Sequence, residues 1–213
     1  MSNESLHAIE GRLAVPVNDN DHLRGPADAP VTLVEYGDYQ CPYCGMAYPI
    51  VEDLLRQRPD TVRYAYRHFP LTNVHPYAEP AAEAAEAAGA RAMFWPAHHW
   101  LFQHQDRLDP LYLLAGMDEL GLDAEAIADD LETQRYSDRV RVDLLGGMRS
   151  AVNGTPTFFV NGLRHDGGYG LADLLAVVDA AARRRRVQAR ARRCHYQRRD
   201  AAITGARSRQ WQP

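Results

Sequence analysis

Lysine is missing from this 213-residue chain, so all 24 of its basic residues are arginines. Missing too is any apolar run near the ~20 residues that a membrane-crossing helix requires, and no segment repeats. The stretch Met1 to Arg12 lacks the basic start and continuous apolar core of a secretory signal, which sets the expectation of a cytoplasmic protein. Cysteine is scarce, with three residues in all. Structural disulfides are uncommon in the cytoplasm, so a close cysteine pair there is a working redox pair rather than a staple. What is present is ordinary globular composition, 46% hydrophobic and 24% charged, in a chain long enough for one domain with a full core.

Two of the three cysteines stand in Cys41-Pro42-Tyr43-Cys44, directly after the apolar run Val31 to Asp38 and directly before a helix-patterned stretch. Thiols three residues apart at a helix start share one face, at a spacing a disulfide can bridge. The first faces the free amides and positive end of the helix dipole, which favour thiolate over thiol. Cys41 is therefore the expected nucleophile and Cys44, one turn deeper, the resolving thiol. Pro42 fits the first turn, where its missing N–H costs nothing. No cofactor is called for, because the electrons reside in the cysteine pair.

A zinc knuckle is the rival for such spacing. The only other cysteine, Cys194, lies in an Arg-rich tail, and His98, His99 and His104 show no recognisable ligand spacing. No metal is expected. His98 and His104 are expected as packed or surface imidazoles, and Trp95 and Phe102 as core.

The order of elements reads β-α-β, then helices, then β-β-α. Val31 to Asp38 is a buried strand, Tyr43 to Gln57 a helix, and Thr61 to Phe69 a second strand. Residues 76–150 are helix-rich, with Asp123 as a helix cap. Thr155 to Val160 returns to strand, Asn161-Gly162 makes a tight hairpin, and Leu171 to Ala182 closes as a helix. Residues 1–20 are expected as an N-terminal extension of a domain spanning 21–182. Residues 183–213 hold eleven arginines against Asp200 alone, while the body before them holds thirteen arginines against 27 acids. This tail is expected to be disordered, with nucleic acid or an anionic surface as an open but less favoured partner.

Together with Arg24-Gly25-Pro26, Val34-Glu35-Tyr36-Gly37-Asp38, Arg67-His68-Phe69-Pro70-Leu71, His75-Pro76 and Gly154-Thr155-Pro156-Thr157-Phe158-Phe159, this arrangement resembles the DsbA-like branch of the thioredoxin superfamily. More narrowly it is similar to the soluble domains sometimes fused to sodium/proton antiporters. The resemblance covers residues 21–182. It implies an α/β thioredoxin fold with an all-helical insertion, and thiol:disulfide exchange with protein or small-molecule thiols, served by a redox partner system. It also implies a cis Pro156, with the Thr155 backbone pairing to an extended substrate segment and Tyr43 and Pro42 at the substrate edge. Glu35, six residues before Cys41, is implied as a buried acid carrying protons for Cys44. His68 is a candidate to stabilise the Cys41 thiolate, against a packing role. Two other functions stay open: a redox-sensing accessory domain, and a glutathione-linked transferase or isomerase, against which the intact cysteine pair weighs.

Overall fold

A computed structural model describes residues 11–207, with side chains through residue 189 and at Ala191. Five strands form one sheet in the order β1-β3-β2-β4-β5. The central strand β2 (Val31–Gly37) pairs in parallel with β3 (Val62–His68), with Val31 opposite Val62 and Gly37 opposite His68. A parallel pair needs a crossover, which α1 (Pro42–Gln57) supplies. On its other side β2 pairs antiparallel with β4 (Thr157–Val160), which turns through Asn161 and Gly162 into β5 (Leu163–His165). Both turn residues have positive φ, 51° and 79°, as an Asn-Gly hairpin demands.

Between β3 and β4 the chain leaves the sheet for five helices: α2 (Ala78–Gly89), α3 (Phe94–Gln103), α4 (Pro110–Glu119), α5 (Ala124–Glu132) and α6 (Ser137–Arg149). This helical insertion matches the helix-rich stretch expected over residues 76–150. Asp123 caps α5 by accepting from the amides of Glu125 and Ala126. Alternation along β2 splits the interior. Val31 and Leu33 join the large core with Val51 and Leu54 of α1 and Leu101 of α3. Val34 and Tyr36 join a smaller one with Ala65, Phe69 and Phe159. Each such fully buried side chain contributes roughly 1.5–3 kcal/mol.

Three boundaries differ from the sequence expectation. A short edge strand β1 (His22–Arg24) pairs antiparallel with β3, too brief to show a period. The fold also begins earlier than residue 21. Arg164 donates its amide to Gly11, Leu13 to Gly162, and the Arg67 guanidinium to the carbonyls of Val15 and Pro16. Backbone pairing of this kind needs no apolar pattern, so a polar segment conceals it. Residues 1–10 lie outside the described part.

The last helix does not stop at Ala182. α7 runs Leu171–Arg207, burying Leu174, Val178, Ala181 and Ala182 and then continuing with exposed residues at 183–189. Ala, Arg and Gln are strong helix formers and no Gly or Pro interrupts residues 171–204, so helix propagates past the end of its buried face. Residues 183–207 of the segment expected to be disordered are thus helical, and 208–213 lie outside the described part. So does the side chain of Cys194.

Candidate active site

Cys41 is the N-cap of α1 and Pro42 its first residue. Both cysteines are free thiols, Cys41 with 3% and Cys44 with no accessible surface. Cys41 Sγ donates to the Thr155 carbonyl at 3.4 Å, and the Asp38 amide donates to Cys44 Sγ at 3.4 Å. The two thiols are driven apart in acidity. Cys41 is lowered to about 5, first by a hydrogen bond from Cys44, against the cost of burial, and then by the amides of Cys44 and Tyr43. Cys44 is pushed well up, by burial first, then by donating to Cys41 and by the negative charge of Glu35. An unpaired helix start supplies those amides, because the first turn has no intrahelical acceptor for them.

Glu35 lies on β2, 2% exposed, where its Oε2 accepts from the Tyr64 hydroxyl at 2.6 Å. Burial raises it to about 7, the Tyr64 bond opposes the rise, and Glu52 adds to it. Thr155 and Pro156 lie just before β4, and their peptide bond is cis. The Thr155 carbonyl is the acceptor for Cys41, and the Thr155 hydroxyl is buried without a partner among the described residues. Tyr43 is 59% exposed and Pro42 is also exposed, so the rim beside Cys41 is open.

The loop between β2 and α1 is tied down by side chains from after β3. The Asp38 carboxylate accepts from the amides of Gln40 and Leu71 at 2.7 and 2.9 Å and meets His75 Nδ1 at 2.7 Å. Gln40 accepts from the Tyr77 amide, and the Tyr39 hydroxyl lies 3.0 Å from Nδ1 of His98. His98 is fully enclosed and, by that burial, held well below its ordinary pKa, so it is a neutral core imidazole. Phe102 is buried and Trp95 packs against the large core.

His68 is not brought to Cys41. Its Nε2 bonds Glu86 Oε1 at 2.9 Å, and His22 Nε2 meets the same oxygen at 2.9 Å, so β1, β3 and α2 converge on one carboxylate. No spacing in the sequence announces this trio, since His22 and Glu86 are 64 residues apart. Its ligand-type atoms lie close enough to face a metal ion. The guanidinium of Arg139 stands 3.6 Å from the same oxygen and balances its charge, which makes the cluster a joint between elements. Glu86 is held well below the usual carboxylate range; burial opposes this, and the hydrogen bonds from His22 and His68 overcome it.

A Cys-Pro-Tyr-Cys pair heading the first helix, a cis proline facing it and a helical insertion in this sheet order define a DsbA-like thioredoxin fold. A thioredoxin family model matches residues 17–180, and the chain belongs to that family. The Na(+)/H(+) antiporter NhaA 1 of Salinispora arenicola is 51% identical over 170 residues, 79% of this chain and 26% of that protein. The chain thus spans about a quarter of the length of such curated relatives. Oxidised BdbD from Bacillus subtilis superposes with a TM-score of 0.73 at 21% identity, covering 82% of this chain and 99% of BdbD. Alpha-DsbA1 of Wolbachia pipientis gives 0.72 at 21% identity, with 83% and 97% covered. Among the described residues no helix is long and apolar enough to cross a membrane.

Proposed function

We propose that this protein is a cytoplasmic thiol:disulfide oxidoreductase working through Cys41 and Cys44 on protein or small-molecule partners. One observation carries the assignment: two free thiols stand within one turn at the start of α1, Cys41 at the N-cap beside the unpaired amides and Cys44 fully buried, a placement that lowers the first to about 5 and raises the second. Only the first is a thiolate at neutral pH, and it is the one near the open rim.

In the reducing direction, the Cys41 thiolate attacks a substrate disulfide, forming a mixed disulfide and releasing one substrate thiolate, which takes a proton from solvent. Cys44 then loses its proton to Glu35, attacks the Cys41 sulfur and expels the second substrate thiolate. The Cys41–Cys44 disulfide holds the two electron equivalents' worth of oxidation, and Glu35 returns its proton to the leaving sulfur. A carboxyl near 7 suits both halves of that transfer. Run backwards, the same steps oxidise a dithiol, and the direction is set by the potential of the pair against its partner system. Thr155 and Pro156 position the partner chain opposite Cys41, with Tyr43 and Pro42 at the substrate edge.

Cys44→Ser should trap covalent mixed disulfides through Cys41, and wild type should turn over a model protein disulfide. If the variant accumulates no adduct and wild type shows no turnover above free dithiol, the assignment fails. A second reading is favoured by the 51% match to a quarter of a protein named as a sodium/proton antiporter: a redox-reporting accessory domain of a transporter. It differs in having a titratable cysteine pair with negligible turnover.

A further inference from the structure

The helical insertion touches the redox loop at a side chain that neither the thiol chemistry nor the proton path uses. Gln105, two residues beyond α3, is half-buried, and its Nε2 donates to the carbonyl of Tyr39 at 2.8 Å and to that of Cys41 at 2.7 Å. A primary amide nitrogen has two hydrogens, so both are spent on the loop that delivers the nucleophile. The Cys41 carbonyl also accepts from the Gly45 amide at 3.1 Å, the first bond of α1. The Gln105 amide also packs against Gly45. A Cβ at position 45 would come within 2.1 Å of Oε1 and 2.9 Å of Cδ. Gly45 is therefore the space in which the amide sits.

The same stretch of chain holds the side chain of Tyr39, through His98 at 3.0 Å. Tyr39 is thus gripped twice, by ring and by carbonyl, and Cys41 once, at the carbonyl. We infer that Gln105 is a positioning residue for thiol exchange: it locks the Tyr39–Cys41 backbone to the helical insertion and keeps Cys41 Sγ aimed at the amides of Tyr43 and Cys44. The inference rests on Cys41 being the nucleophile. The groups that stabilise the Cys41 thiolate are fixed dipoles, and their effect depends on sub-ångström placement of the sulfur. Gln105 never touches the sulfur and acts only through the loop.

The test is the pH dependence of iodoacetamide labelling of Cys41 in the reduced full-length protein, compared with Gln105→Met, Gln105→Glu and Gly45→Ala. Methionine keeps length and removes both donors. Glutamate replaces donors with acceptors, and Gly45→Ala evicts the amide while leaving Gln105 in the chain. All three should move the labelling midpoint upward by about one pH unit, a roughly tenfold slower reaction at about pH 4, below both midpoints. Glutamate should give the largest shift. Thermal stability is measured alongside, because a merely structural side chain would lower melting without moving the midpoint. Variants that keep the wild-type midpoint, whatever their melting temperature, overturn the role of Gln105. A wild-type midpoint at the ordinary thiol value would instead overturn the assignment of Cys41 itself, so the two failures are distinguishable.

Discussion

Two buried glutamates, Glu35 on β2 and Glu86 on α2, are shifted in opposite directions by their neighbours. Among the described residues Glu35 has a single hydrogen-bond donor, the Tyr64 hydroxyl, and burial carries it up to about 7. Glu86 has two imidazole donors and the Arg139 guanidinium close by, and is held well below the usual carboxylate range. Desolvation is the leading influence on both, so the number and charge of the donors decides the sign. One carboxyl can therefore gain and lose a proton at neutral pH beside Cys44. The other is permanently charged and joins β1, β3, α2 and α6. Of these two buried acids only Glu35 suits proton transfer.

The strongest way to break that comparison is Glu86→Ala, which leaves two imidazoles and Arg139 facing an empty space. Removing one partner of a buried charge network costs about 3–5 kcal/mol, and denaturant unfolding should show a loss of that order with Cys41 reactivity unchanged. A loss below about 1 kcal/mol would mean that the joint is not structural. Because Glu86 is depressed in the folded state, its contribution is present above the unfolded pKa of 4.5 and fades as pH falls below it.

Glu35 has the opposite sign. Its folded pKa of about 7 lies above the ordinary 4.5, so its ionisation begins to penalise the fold above pH 4.5, and the penalty is complete above about 7. Glu35→Gln should be near neutral at pH 4 and stabilising by up to about 3 kcal/mol at pH 8. The same variant should slow the second step of exchange, so that mixed disulfides persist. Chemical denaturation at the two pH values, with adducts followed by mass spectrometry, checks both halves.

Tyr64→Phe sharpens the contrast by removing that donor to Glu35. With nothing opposing burial the carboxyl should rise further, so in the Tyr64→Phe background the penalty relative to Glu35→Gln, which still begins near pH 4.5, should grow and become complete only at more alkaline pH. A hydrogen bond to a charged group is worth about 1.5–3 kcal/mol, which bounds the effect. An unmoved profile would show that Tyr64 does not act on Glu35. Smallest of all is the removal of residues 187–213. The last described buried residue of α7 is Ala182, so stability should change by less than about 0.5 kcal/mol and exchange not at all. A drop of many degrees in melting temperature would mean that the tail docks on the acidic body.

Strand, helix and hairpin were legible wherever a period or a turn signal spans several residues: Val31–Gly37, Pro42–Gln57, Val62–His68, and the Asn161-Gly162 turn. The insertion was legible because it is rich in helix formers, Ala and Glu above all, with aromatics at helical spacing. β1 was not, having three residues, and neither was the strap at Gly11 to Pro16, which is held by backbone bonds and by the distant Arg67 side chain, contacts that leave no apolar pattern in the strap itself. α7 outran its expected end because its distal half follows intrinsic propensity without an apolar face. Within the site, the cysteine pair was visible from spacing alone. The grip of Gln105, the His22–Glu86–His68 joint and the Tyr64 bond to Glu35 were not, because each joins elements that only the folded topology makes neighbours. Even the parallel register places Tyr64 opposite Leu33, two residues from the Glu35 it serves.

The most direct measurement is a pH titration of thiolate ultraviolet absorbance in the reduced protein and its single-cysteine variants. In wild type one thiolate should appear with a midpoint of about 5, and it should vanish in Cys41→Ser. Cys44 should give no thiolate across the neutral range until the protein is unfolded. Two thiols titrating together near the ordinary value of 9.0, or a low midpoint that survives Cys41→Ser, would contradict the division of labour between Cys41 and Cys44.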